Sequence, residues 1–97
     1  MTGGAKILCV DQDSRLLESR RAVLKVSGYD AEPASPTVAE KALRVHKFDL
    51  LVLSSLEESD LHSVTNLSDG AAVLVLEGMT MPSDLLSLVA QRWERRP

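Results

Sequence analysis

Three apolar runs in this 97-residue chain each lead directly into groups that can do chemistry. Ile7-Leu8-Cys9-Val10 runs into Asp11-Gln12-Asp13, Leu50-Leu51-Val52-Leu53 into Ser54-Ser55, and Ala71-Ala72-Val73-Leu74-Val75-Leu76 into Glu77. If the ends of these runs converge, the carboxylates Asp11, Asp13, Glu57, Glu58 and Glu77 could surround a divalent cation, which prefers oxygen ligands. The simpler expectation is a solvated acidic rim in which Asp13 caps a helix. A serine at such a position becomes a nucleophile only when a base and a cation stand beside it. His46 and His62 stand alone in polar surroundings, without a ligand cluster. Arg20-Arg21, on a segment that also carries Arg15 and Lys25, reads as a solvated helix face. After the first apolar run the chain reads Asp-Gln-Asp-Ser-Arg, so no Gly-rich turn brings backbone close to a phosphate. Cys9 sits inside an apolar run and reads as a small buried hydrophobe.

The elements that would position these groups follow from spacing. The three runs are apolar at consecutive positions instead of alternating, as strands covered on both faces are, which points to a parallel sheet between helix layers. Asp13 or Ser14 can cap a helix with Leu16, Leu17, Val23 and Leu24, which Gly28 stops. A second helix begins near Thr37 and carries Val38, Ala42, Leu43 and Val45. Between them Tyr29 to Ala34 alternates weakly, and Pro33 suits an edge strand. The segment from Glu57 to Gly70 offers only the narrow stripe Leu61, Val64 and Leu67, so one or two helical turns are expected there. Met81-Pro82-Ser83-Asp84 opens a last helix with Leu85, Leu86, Leu88, Val89 and Trp93 on one side. The order is β-α-β-α-β-α-β-α, an α/β doubly wound architecture in a single domain, residues 1–97.

Composition narrows the function classes. A net charge of −3 gives no basic face for nucleic acid. No window reaches the roughly 18 apolar residues of a membrane span, and Met1 to Gly4 does not resemble a signal peptide. A soluble, cytoplasmic protein is expected. With one cysteine, no internal disulfide can form.

The ordered set Ile7-Leu8-Cys9-Val10-Asp11-Gln12-Asp13, Leu24, Gly28-Tyr29 and Asp49-Leu50-Leu51-Val52-Leu53 resembles a response-regulator receiver domain over roughly residues 5 to 76. The last helix resembles that family's last helix. The resemblance implies a flavodoxin-like sheet with its site at the carboxyl ends of the strands. It also implies paired carboxylates holding magnesium, an aspartate nucleophile after the third strand, a hydroxyl after the fourth, and a lysine after the fifth. Asp11 matches the first carboxylate. Gln12 stands at the second, as an amide without charge, and Ser54 stands at the nucleophile's place. Glu77 puts an anion where the hydroxyl should be. Only Gly78, Met79 and Thr80 separate it from Met81-Pro82, so the family's fourth helix, fifth strand and lysine have no room. Four strands in the order 2-1-3-4 are therefore expected.

The resemblance then implies a degenerate, shortened pseudo-receiver with no enzymatic activity and no cofactor. Its pocket of Asp11, Gln12, Ser54 and Glu77 has lost its phosphoacceptor function, since no base and no cationic partner are expected beside Ser54. Losing the fifth strand would make residues 71–76 an edge without Lys, Pro or charge, a profile that proteins avoid. A partner is expected to cover it, most simply a second copy. Ala71, Ala72, Val73, Leu74, Val75 and Leu76 are interface candidates, together with Leu86, Val89 and Trp93 of the last helix, these three equally readable as core. The expected function is a phosphorylation-independent, receiver-like module of two-component signalling that acts through protein–protein association as a homodimer. Alternatives are a metal-dependent phosphoacceptor at Ser54 or Ser55, and a free-standing module that sequesters a kinase or regulator.

Overall fold

A computed structural model describes residues 5–68, 70–76 and 80–94, with side chains through residue 92. Eight elements alternate: β1 (Lys6–Val10), α1 (Ser14–Val26), β2 (Asp30–Ala34), α2 (Pro36–Val45), β3 (Leu50–Ser54), α3 (Glu58–Asn66), β4 (Ala72–Leu76) and α4 (Pro82–Glu94). The strands form one parallel sheet in the order β2-β1-β3-β4. This is the expected α/β architecture, with four strands among the described residues.

The unbroken apolar runs have their physical reason in two cores. On one face, Ile7, Cys9, Leu50, Val52, Leu74 and Leu76 pack under α1 and α4 through Leu17, Leu24, Leu85 and Val89. On the other, Leu8, Val10, Leu51 and Leu53 pack under α2 and α3 through Ala39 and Val64. Successive strand residues point to opposite faces, so a sheet buried on both must be apolar at every position. Sequence left open which face α4 covers; it lies beside α1, on its own chain.

Helix ends follow local chemistry. The Asp13 carboxylate accepts from the Arg15 backbone N–H at 2.9 Å and caps α1. The helix stops at Gly28, whose φ of +97° is strained for an L side chain. Ser35 caps α2, which begins at Pro36, one residue before the expected Thr37. The segment expected to hold one or two turns forms a nine-residue helix, α3. Its first turn carries Glu58 and Asp60, which complement the helix dipole, and Val64 is wholly buried. Four residues assigned to buried stripes, Leu16, Val38, Val45 and Leu88, are exposed instead. No helix among the described residues is long and apolar enough to cross a membrane.

Cys9 is fully buried, and burial raises its pKa to about 12 although Arg20 pulls in the opposite direction. Because the thiolate is the reactive form, native protein should resist iodoacetamide at pH 8 and be labelled at Cys9 only after denaturation. Stoichiometric labelling of the folded chain by mass spectrometry would contradict this packing.

Candidate functional site

Register alone brings two of the expected groups together. Val10 of β1 lies beside Leu53 of β3, so one residue further along puts Asp11 beside Ser54. Both are inside the protein, Asp11 with no exposed surface and Ser54 at 3%. Asp49, at the other end of β3, is far from this site in register. Its carboxylate accepts from the Lys6 backbone N–H at 2.8 Å.

A third group completes the site. Arg20, 8% exposed, reaches in from α1, and its Nη1 lies 2.9 Å from Asp11 Oδ2. The same Nη1 donates to Ser54 Oγ, and the Ser54 hydroxyl in turn donates to Asp11 Oδ2. Asp11 Oδ1 accepts from the Asp13 backbone N–H at 2.8 Å. The result is a closed triangle of carboxylate, guanidinium and hydroxyl.

Reading Arg20 as part of a solvated face is thereby corrected; Arg15 and Lys25 are exposed as expected, and Arg21 pairs with Glu18 at 3.0 Å on the surface. The signal for Arg20 was present. Leu17, Arg20 and Leu24 are the buried residues of α1, spaced three and four apart on one stripe. A long cationic side chain on a core-facing stripe must find a buried anion, and Asp11 is the one within reach. The expectation that Ser54 has no cationic partner and no base beside it is overturned by the same contacts.

Electrostatics follow from the triangle. Burial works to raise the pKa of Asp11. Hydrogen bonds from Ser54, the Asp13 backbone and Arg20, with the charge of Arg20, outweigh it and hold the carboxyl below the usual aspartate value. Asp11 is a fixed anion and a weak base.

The other expected site residues do not close on this pair. Gln12 is exposed and lines a cleft of about 280 Å³ between the start of α1 and α2, with Asp11, Leu17, Pro33 and Val38 among its other walls. Ser54 and Ser55 border a different cleft of about 190 Å³, whose remaining walls are Leu53, Leu56, Leu61, Val75 and Leu76. The side chains of these remaining walls are all apolar. Glu77 lies outside the described residues. Asp13 serves as a cap, and Glu57 and Glu58 are exposed at the start of α3. Among the described residues, no group of three His, Cys, Asp or Glu could hold a metal ion. The donor set does not fit the magnesium site that the receiver resemblance implies: one carboxylate is already neutralised by Arg20, and its neighbour is an exposed amide.

The interface candidates also separate. Val89 is fully buried and Leu74 and Leu76 nearly so, which makes them core instead of free surface. Ala71, Ala72, Val73 and Leu86 are half-buried against the two cores. Val75, at 47%, is the exposed member of the run. The Trp93 side chain lies outside the described residues.

Comparison with solved structures gives the same architecture. A CheY-like response-regulator receiver domain protein from Methanospirillum hungatei is similar with a TM-score of 0.64 and 18% identity, over 92% of this chain and 93% of that one. A two-component response regulator from Clostridium difficile gives 0.67 and 17%, over 94% and 97%. The receiver domain of NtrC4 from Aquifex aeolicus gives 0.60 and 20%, over 90% and 77%. No protein-family model matches the sequence, and no curated protein matches it. The fold is that of CheY-like receiver domains, as the receiver resemblance implies. At such identities the likeness carries the fold, and the chemistry must be argued from the residues.

Proposed function

We propose that this chain is a receiver-like signalling module that works independently of phosphorylation, through protein–protein association as a homodimer, and not as an enzyme. One observation carries the reading: the carboxylate matching a metal-binding position is occupied by its own chain. Arg20 and Ser54 take one oxygen of Asp11, and the Asp13 amide takes the other. A divalent cation would have to displace a buried guanidinium, with no second carboxylate beside Asp11 among the described residues to replace it. What such a fold retains without that chemistry is a set of shaped surfaces.

One contact favours a second reading, Ser54 as a phosphoacceptor, because its hydroxyl donates to a carboxylate as an activated nucleophile would. Two facts weigh against it. Asp11 has a lowered pKa, so it takes a proton poorly, and Ser54 is almost inaccessible.

Incubation with acetyl phosphate and magnesium, followed by intact-mass measurement, separates the two readings. The expected result is an unchanged mass, and no rise of the thermal midpoint on adding magnesium, since a ligand that binds the native state must raise it. Stoichiometric gain of one phosphoryl group on Ser54 would overturn phosphorylation independence.

A further inference from the structure

The two edges of the sheet are built differently. The outer edge of β2 carries exposed Asp30, Glu32 and Pro33, which blunt strand addition by charge and by a missing donor. The outer edge of β4 has neither device along Ala72–Leu76. Among the described residues no strand pairs with that edge, and its side chains are largely covered, so what remains there is backbone.

Hydrogen-bond direction shows which backbone groups these are. The Ala72 N–H donates to the Asp49 carbonyl at 3.1 Å, so Ala72 turns its polar groups toward β3. Alternation along the strand turns those of Leu74 and Leu76 the same way, and those of Val73 and Val75 outward. Each of these two valines thus presents an N–H and a C=O at the edge. Val75 is 47% exposed and Val73 half-buried, so both groups are approachable.

We propose that β4 pairs antiparallel with β4 of a second copy about a twofold axis at Leu74, joining the two sheets into one. The proposal rests on the association reading above and supplies its geometry. In this register Val73 of each copy faces Val75 of the other, and each pair exchanges both of its outward hydrogen bonds. Ala72 faces Leu76, and Leu74 faces its own counterpart. All five residues of the strand are used, and the segment is complementary to itself. The cross-strand neighbours are β-branched valines, a favourable pairing in sheets, and no charge is brought against a like charge. A twofold contact of this kind closes on itself and leaves only the guarded β2 edges at the two ends.

The test uses the position where folding and pairing part. Because the Val75 N–H faces away from β3, Val75→Pro removes an edge donor without removing a bond inside the sheet. Val75→Lys adds a charge at the same edge, and Val75→Thr is the conservative control. Size-exclusion chromatography with light scattering should give a dimer mass for the natural chain and for V75T. The mass should fall by half for V75P and V75K, with the circular dichroism spectrum preserved. If V75P fails to fold, V75K decides alone. A monomeric natural chain would overturn both this geometry and the homodimer reading. A dimer that persists in V75P and V75K would overturn the β4 pairing while leaving dimerisation itself in place on another surface.

Discussion

Replacing Arg20 with Met lowers the stability of the folded chain by about 3–5 kcal/mol near neutral pH, the usual cost of leaving one partner of a buried ion pair unpaired. Methionine keeps the length and most of the apolar stem, so the loss reports the charge more than the packing. Asp11, with no exposed surface, would keep a negative charge that only the Ser54 hydroxyl and the Asp13 amide could compensate. The pH dependence identifies the cause. In the natural chain the folded Asp11 pKa lies below its unfolded value near 3.8. Its contribution is therefore complete above that pH and is lost as pH falls through the lower folded value. Without Arg20, desolvation dominates and the sign reverses: protonated Asp11 is tolerated in the fold, and stability declines as pH rises past its unfolded pKa. Urea unfolding of R20M at pH 4 and pH 7 should show the smaller deficit at pH 4. An equal deficit at both would mean that Arg20 matters only as packing. Arg20→Met combined with Asp11→Leu should recover much of the loss, because two apolar groups leave no buried charge.

How far this was legible in the sequence depends on the kind of force involved. Three of the four strands could be read because a sheet covered on both faces forces consecutive apolar residues, and Ile7–Val10, Leu50–Leu53 and Ala71–Leu76 have no other economical explanation. The last helix was placed for a different reason, the Pro82 in its first turn and apolar residues at helical spacing after it. The third helix was underestimated because a short helix with one wholly buried residue, Val64, draws its stability from caps, dipole and tertiary contact more than from a broad stripe. Asp11 and Ser54 were placed through the receiver resemblance, and the parallel register confirms their proximity. Arg20 was not placed. Charged residues are mostly solvated, so a run such as Glu18-Ser19-Arg20-Arg21 reads as surface by default. Which of two adjacent arginines turns inward depends on helix phase, and the phase is set by Leu17 and Leu24 together. The apolar edge was legible as composition but not as exposure. Helices α3 and α4 cover much of it from both faces, a tertiary fact that no local pattern carries.

Ser54→Asp should turn the site from one that ignores magnesium into one that responds to it. The substitution puts a second carboxylate against Asp11, at the position where the receiver resemblance implies an aspartate, with Arg20 the one cation among the described residues in contact with the pair. Two adjacent carboxylates cannot both ionise cheaply in a buried site, and a single guanidinium neutralises only one. The variant is expected to lose roughly 3–5 kcal/mol at pH 8, the range for an uncompensated buried charge. It should lose less at pH 5, where one carboxyl can hold its proton, so its stability falls as pH rises where that of the natural chain does not. The same excess charge makes a divalent cation welcome, since oxygen ligands bearing negative charge are what magnesium requires. Magnesium at about a hundredfold its dissociation constant would restore about 2.7 kcal/mol. Thermal unfolding of the natural chain, S54D and Ser54→Asn, each with magnesium, calcium or neither, reads this directly. The midpoint should rise in S54D alone, and Asn, of equal size without charge, should remain indifferent. A rise in the natural chain would mean that Arg20 yields Asp11 to a metal after all, and the closed triangle would no longer support the proposed independence from phosphorylation. No rise in any of the three would mean that charge alone does not govern the pocket, and that the exposed amide of Gln12 also denies the metal its second ligand.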